Sequence, residues 1–302
     1  MLEGFENSKV DDGKEDVLAG TFYNIATEEM KRYIEIYLEL TRQTNGLTNI
    51  KAEHIRDIDQ KIVVLGGIGS LLNPDSVTSE VVALEWERMR AVPFDIERAV
   101  TKGVYIRLRS RSEILLNQLE RDTEGFTKFS SAYIIANPHM LPILQRLAGI
   151  SSKAQLKERI GNVSDNVVSV PAARKLSQLL SLVNPGTSLG HLQILQSIEP
   201  TLEGIVRDLV GRVLLESVVA NALDDANVPY KKESEYRHIK GVIYDFRADF
   251  VTPEDVGPKA FIEVRKSSSR HASLYAKDKM FSSINWKGRN KELLAIIVVE
   301  GP

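Results

Sequence analysis

The sequence has no cysteine, so disulfides, zinc–cysteine sites and thiol nucleophiles are excluded. The same absence fits a reducing compartment, and the expected location is the cytoplasm. Long apolar runs are missing as well. The longest are of strand length, so no membrane span is expected. The Met1 end carries Glu3, Glu6, Asp11, Asp12, Glu15 and Asp16 where a secretory signal would have a basic stretch leading into an apolar one. Zinc-finger, helicase and ATP-loop signatures are also lacking. Leu65-Gly66-Gly67-Ile68-Gly69-Ser70 comes nearest to a phosphate loop but lacks the Gly-Lys-Ser/Thr ending. It reads as a turn between buried segments.

What is present can fold without staples: 302 residues with 43% hydrophobic content supply a core for one large domain or two ordinary ones. The net charge of -2 neither favours nor excludes nucleic acid, because an electrostatic footprint depends on local distribution. That distribution is uneven. Between Lys259 and Lys291 the basic residues Lys259, Arg265, Lys266, Arg270, Lys277, Lys279, Lys287, Arg289 and Lys291 face only Glu263 and Asp278.

Residues 1–19 read as an acidic tail and residues 20–189 as a predominantly helical region. Apolar stripes at helical spacing predict helices over 26–42, 79–89 and 93–119. Serine and proline start signals place further helices over 153–160 and from Pro171 to Leu182. In the 93–119 helix, Arg107, Arg109 and Arg111 would share a side if extended and scatter if helical. Arg107 and Arg109 are candidate phosphate contacts, with solvent-facing or internally paired arginines as the plainer account. Thr201 is a plausible cap for one long helix over 202–226, in which Arg212 and Glu216 lie a turn apart as an intrahelical pair.

The chemistry concentrates in 243–266. A strand over 243–251 would carry Asp245, Arg247 and Asp249 on one face, and a strand over 260–266 would carry Glu263 and Arg265 on one face. If the two strands pair, Asp249 and Glu263 converge. Converging carboxylates repel and need a cation, and an oxygen-only site suits magnesium. A further helix containing 272–285 and an apolar strand over 293–299 complete a helix, strand, strand, helix, strand order, an α/β unit over 190–302.

Gly211-Arg212-Val213-Leu214-Leu215-Glu216, Arg247-Ala248-Asp249-Phe250 and Ile262-Glu263-Val264-Arg265 together resemble the PD-(D/E)xK nuclease superfamily, type II restriction endonucleases in particular. The resemblance covers about the last third of the chain. It implies a restriction-endonuclease-like mixed sheet flanked by helices, with Asp249 and Glu263 binding Mg2+ and Glu216 in metal support or in a second layer behind it. Two positions depart from the pattern. Ala248 stands where the family has proline, and Arg265 stands where it has the catalytic lysine. Arginine is a poor proton shuttle but can orient the scissile phosphate, and a bulge would bring the neighbouring Lys266 inward as a second candidate.

The resemblance therefore implies a magnesium-dependent, site-specific endonuclease cutting double-stranded DNA, acting as a homodimer on a palindrome, with no membrane association. Arg270, His271, Lys277 and Lys279 are candidate DNA contacts after the second strand, and the helical region would serve recognition or dimerisation. A catalytically silent sequence-specific DNA-binding protein and a structure-specific repair nuclease are the alternatives.

Overall fold

The computed structural model describes residues 20–183, 190–266 and 269–300. The expected acidic tail and the side chains of Lys266, Arg270 and His271 lie outside the described residues. The chain forms two compact units that divide between Arg207 and Asp208.

The first unit is helical. Its elements are α1 (Phe22–Gln43), α2 (Ile58–Gly67), α3 (Ser79–Met89), α4 (Ile96–Asp122), α5 (Ser131–Ala136), α6 (Leu141–Leu147), α7 (Lys153–Ile160) and α8 (Val170–Leu182), and most of α9 (His191–Leu209). Local chemistry explains where many of them start. Thr21, Asp57, Thr78, Asp95, Ser130, Ser152 and Ser169 each turn a side-chain oxygen to a backbone N–H that the first turn leaves without a helical partner. The Leu65–Ser70 stretch is the end of α2 and its turn. A Cβ on Gly66 would stand 2.8 Å from the Arg98 carbonyl, so glycine there permits close contact with α4.

This unit contains an internal correspondence between its longest helices. α1 and α4 both end in a threonine whose hydroxyl donates to the carbonyl four residues back at 2.6 Å, Thr44 to Leu40 and Thr123 to Leu119. Each hydroxyl then accepts from the N–H three residues on at 3.1 Å, from Leu47 and Phe126. The three residues that follow each threonine take φ of 50°, 73° and 62° in one case and 50°, 72° and 62° in the other.

The second unit contains α10 (Leu215–Asp225), β1 (Lys231–Lys232), β2 (Phe250–Thr252), β3 (Ala260–Lys266), α11 (Ser269–Lys287) and β4 (Leu294–Glu300). The strands form one mixed sheet in the order β1-β2-β3-β4. β1 to β3 pair antiparallel, and β3 and β4 run parallel on either side of α11 in sequence. Alternation along the strands divides the core. Phe250, Ile262 and Val264 pack with Ala220, Leu215 and Val219 of α10, while Val251 and Phe261 pack with Tyr236, Ile239 and Trp286 of α11. Trp286 is thus a packing anchor, with its ring edge-to-face on Phe261 at 5.4 Å.

Two expectations need correction. The strand over 243–251 is short: β2 begins at Phe250, and the residues before it form only an isolated bridge between Ile239 and Phe246. The single helix over 202–226 is also replaced. α9 begins at His191 and carries Pro200 inside it, and a π-turn, Val210–Leu214, precedes α10. Thr201 is therefore inside a helix, where its hydroxyl accepts from Arg146 Nη2 at 2.8 Å.

Candidate active site

β2 and β3 bring Asp249 and Glu263 to the same face of the sheet. Phe250 pairs with Ile262, so Asp249 stands at the end of the ladder beside Glu263. Its Oδ2 accepts from the Val264 backbone N–H at 2.6 Å and from Arg265 Nη1 at 3.1 Å. The other terminal nitrogen of Arg265, Nη2, donates to Glu263 Oε2 at 2.8 Å. The two carboxylates therefore converge on one guanidinium. Glu263 Oε1 receives a second cation, the Lys279 ammonium from α11. Glu263 itself is only 4% exposed. A carboxylate at that depth needs compensating charge, and both of its oxygens have it.

The backbone ahead of Asp249 is held by Tyr236. Its hydroxyl donates to the Ala248 carbonyl at 2.6 Å and accepts from the Ala248 N–H at 2.7 Å, with both residues buried. A proline has no N–H, so at this position it would leave the Tyr236 oxygen without that donor. Sequence reasoning missed Tyr236 because nothing local links it to a residue twelve positions away.

Glu216 lies in the first turn of α10, immediately after the π-turn. It does not form the expected pair with Arg212, which instead reaches Asp208 at 3.8 Å. Arg212 lies inside the π-turn and Glu216 just past it, so these two are not held at regular α-helical spacing. Burial pushes the Glu216 carboxyl up to about 7, and the negative charges of Asp249 and Glu233 push in the same direction against Arg212 and Arg265. Glu216 thus lies within electrostatic reach of Asp249 and of the cation that bridges the carboxylate pair.

The remaining candidates are dispersed. Asp245 pairs with His238 at 3.1 Å and Lys240 at 3.7 Å, and Arg247 pairs with Glu233 at 3.3 Å. Arg107 and Arg109 are on the helical α4, and each faces a carboxylate of its own, Glu29 at 3.9 Å and Glu199 at 2.7 Å. Arg111 is buried. The extended alternative for these three arginines is therefore excluded. Lys277 is exposed on α11. Lys279, read from sequence as a DNA contact, is a partner of Glu263, and the basic excess of its segment was the only sign of it.

Among the described residues, no group of three or more histidine or acidic side chains is arranged to hold a metal ion. The oxygen donors gathered here are the pair Asp249 and Glu263. No described helix is long and apolar enough to cross a membrane. Comparison with models of known protein families, with curated proteins and with solved structures returned no match for this chain.

Proposed function

We propose that this chain is a magnesium-dependent, site-specific endonuclease that hydrolyses phosphodiester bonds in double-stranded DNA, with a restriction-endonuclease-like catalytic unit and type II restriction activity. One observation carries this reading: Asp249, immediately before β2, and Glu263, on β3, converge on a single cationic group. An oxygen-only donor pair already arranged around a cation fits a hard divalent ion, and Asp249 and Glu263 would hold it. Magnesium, when bound, supplies Lewis-acid polarisation of the phosphate and activation of water.

The chain's own residues supply the rest. Arg265 carries a permanent charge on a planar fork, suited to gripping two oxygens of the scissile phosphate and steadying the charge that grows there. It cannot serve as the base. Glu216, with its carboxyl pushed up to about 7, can hold or release a proton at neutral pH. Tyr236 fixes the Ala248 backbone and so the position of Asp249. A symmetric homodimer would present two such sites to the two strands of a palindrome. The cysteine-free composition suits a cytoplasmic enzyme.

A second reading has its own support. Arg265 and Lys279 occupy both oxygens of Glu263, which also suits a DNA-binding protein that has lost cleavage. Incubation with a sequence-diverse DNA library, with and without magnesium, and sequencing of the ends separates the two. Magnesium-dependent breaks at one short motif support the endonuclease. Breaks placed by junctions or mismatches point to a repair nuclease, and DNA binding without breaks points to the silent binder.

A further inference from the structure

Burial is unequal among the charges that meet at Glu263. The Glu263 side chain is 5% exposed, whereas those of its partners Lys279 and Arg265 are 25% and 39% exposed. A DNA phosphate approaching from solvent would meet the two cations before it met the carboxylate. Among the described residues, Lys279 bonds only Glu263, and Arg265 bonds Asp249, Glu263 and the Val264 carbonyl, so each cation has donors beyond these contacts. Lys279 carries three donors on a flexible stem, and Arg265 carries five in a fork.

Charge balance gives this arrangement a consequence. Asp249 and Glu263 are matched by Arg265 and Lys279, so these four groups are close to neutral. A divalent cation entering alone would add two positive charges beside two others in a poorly solvated place, which is unfavourable. A phosphodiester entering alone would add a negative charge beside two carboxylates. Entering together, the two ligands would offset each other: the phosphate would draw Arg265 and Lys279 outward, leaving Asp249 and Glu263 free to hold the cation.

We propose that Lys279, together with Arg265, is an exchangeable counter-ion that passes from Glu263 to the DNA phosphate, so that the divalent cation and DNA bind with positive cooperativity. The proposal rests on the nuclease reading and adds a form of control to it. The protein alone holds the metal weakly, and the complete site assembles only on DNA. By linkage, DNA must strengthen metal binding by the same factor as the metal strengthens DNA binding.

The test is calorimetric titration of calcium chloride, as the probe cation, into the full chain with and without a short duplex carrying the cut sequence recovered from the library. DNA affinity is measured in parallel with and without calcium. The wild type should bind calcium about tenfold or more tightly when DNA is bound, with the same factor on DNA affinity. Lys279→Met should bind calcium more tightly than wild type in the absence of DNA, and its coupling factor should fall by about threefold or more. Lys279→Arg should restore coupling. Lys277→Met, which removes an exposed cation of the same helix, should weaken DNA binding equally with and without calcium and leave the factor unchanged. Melting curves establish that each variant is folded, and Lys279→Gln replaces the methionine variant if that one is not. Equal calcium affinity with and without DNA in the wild type, or a coupling factor that survives loss of the Lys279 charge, overturns the proposal while leaving an active nuclease intact. A wild type that neither cuts DNA nor binds a divalent cation in any state removes the nuclease reading and this inference together.

Discussion

Under the proposed function, Asp249, Glu263 and Glu216 divide the work at the scale of single residues, and each role predicts a distinct loss. Asp249→Asn or Glu263→Gln keeps side-chain volume and removes a charged oxygen donor. Each should lower magnesium-supported cleavage by about a hundredfold or more, while DNA affinity in the absence of metal stays within a few-fold. Normal cutting by both variants, in a plasmid cleavage assay with parallel gel-shift binding, would remove them from the site. Tyr236→Phe deletes one oxygen that serves two buried backbone groups of Ala248. An unsatisfied buried polar group costs about 1–3 kcal/mol, so denaturant unfolding should register a loss in that range, and cleavage should weaken as Asp249 loses its fixed position. Unchanged stability would mean that water replaces the hydroxyl.

Glu216 makes a prediction in pH. Its carboxyl is raised from the ordinary 4.5 to about 7, chiefly by burial. The folded protein therefore holds this proton more tightly than the unfolded chain does. Stability from this group is fully present below the lower value, falls as pH rises between the two, and is level above the higher one. Glu216→Gln removes that decline, so its melting temperature should gain on the wild type as the buffer goes from about pH 5 to about pH 8. Curves that stay parallel would show that Glu216 titrates normally. Asp249→Asn should move the wild-type decline to lower pH, because the Asp249 charge is one of its causes.

At the scale of elements, steric fit can outweigh intrinsic preference. Alanine favours a helix over glycine by about 1 kcal/mol, yet Gly103→Ala in α4 should destabilise the protein. A Cβ there would fall 1.9 Å from the ring of Tyr33, which is 1% exposed and held to Asp59 by its hydroxyl at 2.7 Å. Overpacking of this kind costs about 1–3 kcal/mol, more than the gain in propensity. A melting temperature at or above that of the wild type would show that α1 and α4 can separate. Elements were also the level at which the sequence was most legible. α3 and α7 have the bounds their apolar spacing and caps predict, and β3 spans 260–266 as alternation predicts. β2 was overestimated because Ile243, Tyr244 and Phe246 suit a strand by composition. Their backbone groups go elsewhere: the N–H groups of Ile243 and Tyr244 both donate to Asn285 Oδ1, at 2.8 and 3.0 Å. The internal correspondence of α1 and α4 was visible as Thr44-Asn45-Gly46-Leu47-Thr48 and Thr123-Glu124-Gly125-Phe126-Thr127, but its meaning lies in the shared backbone geometry.

Over the whole molecule, net charge is a poor guide to partners. A chain at -2 should bind DNA through local cations, and affinity should fall linearly with the logarithm of salt concentration. Lys277→Gln should flatten that slope by about one unit if the lysine contacts a phosphate, measured by fluorescence anisotropy across a salt series. An unchanged slope would place the DNA surface away from that side of α11.

The sequence by itself determined the composition limits, the helical character of the first unit, and the alternation of β3 that carries Glu263. Those are consequences of periodicity, capping and alternation, which act over a few residues and can be read from them. Only the tertiary structure decided that Lys279 reaches Glu263, that Tyr236 holds Ala248, and that Arg212 lies in a π-turn and pairs with Asp208 rather than Glu216. Each depends on where distant segments meet once the core has closed. The charge on Glu263 can be compensated only by whatever cation packing delivers to it, and spacing along the chain does not specify which one that is.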